Sequence, residues 1–129
     1  MARESNLIQA IGLLMTISSF FGFSQKSDPD QQVLEQLKKA GSNLSKPHQI
    51  EFFLYFPTQS AAQQVAEVIE KSGFTVTVKP AAKGPNWLCF ATKAMVPELS
   101  ALQKIRKDFD TLSKANHGEY DGWGTSIVR

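Results

Sequence analysis

The sequence predicts a ferredoxin-like α/β sandwich. This is an α+β fold of pattern βαββαβ with an antiparallel four-stranded sheet, here with an extra N-terminal helix. Two observations carry the prediction. From Ile50 onward, segments of period two and period 3.6 follow one another as strand, helix, strand, strand, helix, strand. Right-handed crossovers put both helices of such a chain on one sheet face and its first and third strands in the centre. Those are the two most apolar strands of this chain.

The extra helix comes first. Ser27 or Asp28 can cap it, with Pro29 in its first turn, and Val33, Leu34, Leu37 and Ala40 recur at helical spacing before Gly41 closes it. That stripe needs burial, and the second face of the sheet, with Phe53 and Tyr55, can supply it. After a loop over 42–47 and His48, the first strand spans 50–56. Ile50, Phe52, Leu54 and Phe56 share one face; Glu51, Phe53 and Tyr55 share the other. Thr58 caps the next helix, Ala61, Ala62, Val65, Val68 and Ile69 form its stripe, and Gly73 takes the left-handed C-terminal position. Phe74, Val76 and Val78 alternate with Thr75, Thr77 and Lys79 in the second strand. A hairpin loop over 80–85 leads to the third strand, 86–94. Its near-continuous apolar run through Trp87, Leu88, Cys89, Phe90 and Ala91 suits a strand covered on both faces. Pro97 opens the last helix, whose stripe is Leu99, Leu102, Ile105, Phe109 and Leu112, and Asn116-His117-Gly118 ends it. A final strand runs to Val128.

In the final strand, Gly118-Glu119-Tyr120-Asp121-Gly122-Trp123-Gly124 packs three glycines, two aromatics and two acids into seven positions. Gly118, Gly122 and Gly124 read as structural, marking a bend, a bulge or a close backbone approach. Two readings of the rest stay open. The rings fill the core, or Glu119, Tyr120, Asp121 and Trp123 are presented to a protein partner, for which aromatics beside acids are suited.

The domain occupies 28–129, and 1–27 stands apart as an apolar segment and polar linker. Residues from Leu7 to Phe23 carry no charge, a length at the bottom of the membrane-spanning range. The segment reads as a signal peptide with small Gly22 and Ser24 near a cut, as an uncleaved membrane anchor, or as a helix packed on the domain, a reading that Gln9, Thr16, Ser18 and Ser19 keep open.

Catalysis finds little support. The histidines, His48 and His117, sit before a strand and at a helix end, and the single cysteine, Cys89, lies in an apolar run. No metal-ligand cluster, no cofactor motif and no phosphate loop is present in the sequence, so no catalytic residue is assigned. A net charge of +2 does not point to nucleic acid. Single-stranded RNA binding remains an alternative, because Phe53 and Tyr55, joined by Lys79, lie on the face on which one ferredoxin-like module stacks bases. The basic-glycine-aromatic signature of that module is missing from the Trp87 strand.

From about residue 30 to 128 the chain resembles the family of regulators of ribonuclease E activity B. The resemblance rests on Val33-Leu34-Glu35-Gln36-Leu37 with Gly41, the 50–56 strand with Pro57, Gly73-Phe74-Thr75-Val76, the Trp87 strand and, most specifically, Tyr120-Asp121-Gly122-Trp123-Gly124. It implies a ferredoxin-like fold and a non-catalytic bacterial protein that binds and inhibits endoribonuclease E, altering RNA processing and decay. It also implies a cytoplasmic domain, soluble or anchored at the inner membrane. A cleaved signal peptide would instead make this an extracytoplasmic binding domain. Characterised members are markedly acidic, whereas this chain has 14 Lys and Arg against 12 Asp and Glu.

Overall fold

The computed structural model describes residues 7–8 and 28–129. In chain order the elements are β1 (Leu7–Ile8), α1 (Pro29–Lys39), β2 (His48–Phe56), α2 (Gln59–Lys71), β3 (Thr75–Pro80), β4 (Trp87–Met95), α3 (Leu99–Ala115) and β5 (Glu119–Ser126). The sheet order is β1-β5-β2-β4-β3. The four long strands therefore take the ferredoxin-like order, with β2 and β4 central as expected. β1 is an addition to the expected sheet: Leu7 pairs with Ser126 and Ile8 with Thr125, antiparallel. Of the apolar segment from Leu7 to Phe23, these two residues are extended strand; the rest lies outside the described residues. No helix among the described residues is long and apolar enough to cross a membrane.

Local chemistry sets the helix ends. Asp28 accepts the Gln31 N–H at 3.0 Å with Pro29 in the first turn, and Thr58 Oγ1 accepts the Ala61 N–H at 3.1 Å. Gly41 and Gly73 follow their helices with φ of 96° and 98°, where a Cβ is disfavoured. Pro97, expected to open α3, lies before it. The Glu98 carbonyl accepts the first helical N–H, from Leu102 at 3.0 Å, so Glu98 is the cap and the helix begins at Leu99.

The other end of α3 also departs from expectation. Gly118 N–H reaches the Ser113 carbonyl at 2.8 Å and His117 N–H that of Lys114 at 3.2 Å, the two bonds of a Schellman motif. The left-handed position of that motif is held by His117, at φ 64°, and not by the glycine beside it. A left-handed residue with a Cβ costs about 1–2 kcal/mol, part of which a glycine returns to the unfolded chain. His117→Gly is therefore expected to stabilise the protein by about 0.5–1 kcal/mol, read as a higher denaturant midpoint at unchanged slope.

The chain packs as two compact units. One holds α1, the start of β2, residues 94–103 and the end of β5. In it Val33, Leu34 and Leu37 of α1 are buried, and the Trp123 indole N–H donates to the buried Asp30 carboxylate at 3.0 Å. Val128 is not strand, contrary to the sequence reading. Its N–H donates to Ser42 Oγ at 2.9 Å and its carbonyl accepts the Asn43 N–H, which takes it out of the ladder. Ser42 Oγ also lies 2.6 Å from Nε2 of buried His48, whose Nδ1 is 2.8 Å from the Lys46 carbonyl. Since a carbonyl only accepts, Nδ1 carries a proton.

The second unit, residues 51–93 and 104–122, is built on aromatics. Phe52 meets Phe74 and Phe109 edge-on at 5.5 Å each, and Tyr120 meets Phe109 at 5.7 Å. Such pairs stabilise by about 0.5–1.5 kcal/mol beyond their burial. β3 and β4 form an antiparallel hairpin from Thr75↔Thr92 to Pro80↔Trp87, closed by the Ala81 N–H to the Asn86 carbonyl at 2.9 Å. Pro80 fits because β3 is an edge strand. Cys89 is fully buried; burial, then the Glu70 carboxylate, pushes its thiol up to about 12, which makes it unreactive.

Candidate protein-binding site

The seven-residue stretch of β5 divides by exposure. Glu119 and Asp121 are exposed, Gly118 and Tyr120 half-buried, and Gly122, Trp123 and Gly124 buried. Gly122 carries φ 103°, a left-handed break in the strand. It comes after Asp121, so the two acids keep strand alternation and share a face. Tyr120 packs its ring on Phe109. Trp123 is 1% exposed, so its ring is core, not a presented surface. Gly118 lies against β2, where a Cβ would overlap the Phe56 ring and the Tyr55 carbonyl.

The two acids line an open cleft of about 420 Å³ with Tyr55 from β2 and Lys83 and Asn86 from the β3–β4 loop. A smaller hollow of about 140 Å³ shares Tyr55, Asn86 and Glu119 and extends past His117. Lys83 and Asn86 escaped the sequence reading. Only the hairpin register, which brings the loop beside β5 and β2, gathers them, and the sequence signals no more than a turn there.

Asp121 is exposed as a residue, yet its carboxyl is partly desolvated. That burial, with the Glu119 carboxylate adding to it, raises its pKa above the ordinary 3.8. The folded protein thus holds this proton more tightly than the unfolded chain does. The charged form is penalised on folding, and the penalty grows as pH climbs from 3.8 through the raised pKa. Asp121→Asn is expected to raise the melting temperature slightly at neutral pH, with the gain vanishing in acid below the ordinary value. Glu119→Gln should move the Asp121 titration, followed by NMR, back towards that value.

The other expected face is divided as well. Phe53 is 3% exposed and meets Phe90 edge-on at 5.5 Å, leaving no open ring face for a base. Lys79 lies over the Phe90 ring at 4.9 Å, while Tyr55 is half-buried at the cleft. Among the described residues no group of three or more His, Cys, Asp or Glu is placed to hold a metal ion.

A family model described as regulator of ribonuclease activity B, RraB, matches residues 27–125. The chain belongs to the RraB family. No curated protein matches it in sequence. The RraB match takes in α1 through Thr125, and so includes the whole cleft and the buried Trp123–Asp30 contact. It excludes the apolar N-terminal segment.

Proposed function

We propose that the protein is a non-catalytic regulator that binds a ribonuclease E-type endoribonuclease and lowers its activity, thereby modulating RNA processing and decay. Membership of the RraB family carries this reading. In support of a contact at this end of β5, Glu119 and Asp121 stand exposed at a cleft with Tyr55, and the Tyr120 ring between them in sequence leans on Phe109. Trp123 serves the contact by holding the strand, not by touching the partner. The burial of Phe53 favours a protein partner over stacked RNA bases. On this reading the domain works in the cytoplasm.

The test is retention of a purified ribonuclease E-type enzyme on the immobilised full chain, together with cleavage of a single-stranded RNA substrate. The expected result is retention and a slower cleavage rate, both weakened by Glu119→Gln with Asp121→Asn. No retention and an unchanged rate would overturn the proposal, as would isolation of the native protein from an exported fraction with its N-terminus near Gln25.

A further inference from the structure

We propose that the Tyr55–Asn86–Asp121 cleft receives a single guanidinium side chain of the partner protein, held by Glu119 and Asp121 against the Tyr55 ring. The inference rests on the protein-binding reading above and narrows it to one chemistry.

Four features of the cleft converge on that guest. It is an open cleft of about 420 Å³ and shares Tyr55, Asn86 and Glu119 with the hollow beside His117, which gives it room for one side chain. Glu119 and Asp121 stand two residues apart on one face of β5, roughly 7 Å along the strand by ordinary strand rise. A guanidinium carries five N–H donors in a planar fork and can bond acceptors on two sides at once, which the compact ammonium of lysine cannot match in plane. Tyr55 of β2 and Asn86 of the β3–β4 loop line the same cleft, residue types whose ring and amide suit a flat cation. The free protein also has something to gain. Burial and the nearby Glu119 carboxylate disfavour the ionised Asp121, and a bound cation offsets both. Among the described residues the two carboxylates have no third ligand beside them, which is too few for a divalent metal site. Among the described residues, the titratable groups lining the cleft are Glu119 and Asp121 from β5 and Lys83 from the β3–β4 loop, with His117 at the adjoining hollow. Lys83 is the cation that a guest must compete with.

The probes are N-acetyl-arginine methylamide and its lysine counterpart, titrated into the full chain and followed by amide NMR. The arginine probe should give saturable shifts centred on Asn86, Glu119 and Asp121, at least about fivefold tighter than the lysine probe. Glu119→Gln with Asp121→Asn should weaken it by about tenfold or more, and Lys83→Ala should tighten it by about two- to threefold. Shifts that never saturate, that fall equally on the helix acids Asp108 and Asp110, that survive the double substitution, or that are the same for both probes would overturn the assignment. Ribonuclease retention without arginine binding would remove this inference and leave the regulator reading. Arginine binding without retention would do the reverse.

Discussion

Trp123→Ala is expected to destabilise the protein by about 3–5 kcal/mol, the range for emptying a buried large aromatic site. The ring is 1% exposed and is flanked in the strand by Gly122 and Gly124, which have no side chain to offer to the emptied space. Its indole N–H also donates to the Asp30 carboxylate, itself 3% exposed, at 3.0 Å. Alanine removes that donor as well as the ring. Trp123→Phe separates the two contributions. It keeps most of the apolar volume and loses the donor to a buried carboxylate, so the expected loss is about 1–3 kcal/mol. Small domains are stable by only about 5–15 kcal/mol, so the alanine variant should unfold at a much lower denaturant concentration with an unchanged slope. Equal midpoints for wild type and Trp123→Ala would show that this ring is not part of the core.

Much of the fold is legible in the sequence because its signals are local. Asp28, Thr58, Gly41 and Gly73 announce helix ends within a few residues of where they act, and the alternation from Ile50 to Phe56 fixes which side chains go inward. What escaped depends on distant partners. The last strand stops at Ser126 because the Val128 backbone is taken by Ser42 and Asn43, some eighty residues earlier. Trp123 and Tyr120 look alike as aromatics beside acids. Only the structure separates the ring bonded to Asp30 from the one leaning on Phe109. Of the cleft, the two acids could be picked out from the glycine-aromatic string, whereas Lys83 and Asn86 join through the hairpin register.

Gly118→Ala should cost about 3 kcal/mol, the upper end of ordinary overpacking, although it adds a single methyl group. Two adjacent residues here have exchanged the roles that sequence reasoning assigns them. His117 bears the left-handed conformation, while Gly118 needs its lack of a side chain for a different reason. A Cβ at 118 would overlap the Phe56 ring and the Tyr55 carbonyl. Neither obstacle is the free end of a flexible chain. Phe56 is 1% exposed and fixed in the core, and the Tyr55 carbonyl belongs to the backbone of β2. Relief therefore requires the start of β5 to move off β2, which would also shift Glu119 relative to Tyr55 and open the cleft. The variant should lose stability and cleft binding together. His117→Gly, one position earlier, should gain stability and leave the cleft intact. Opposite signs for neighbouring substitutions are the signature of this arrangement. A Gly118→Ala protein as stable as wild type would mean that β5 does not lie closely against β2 at this point.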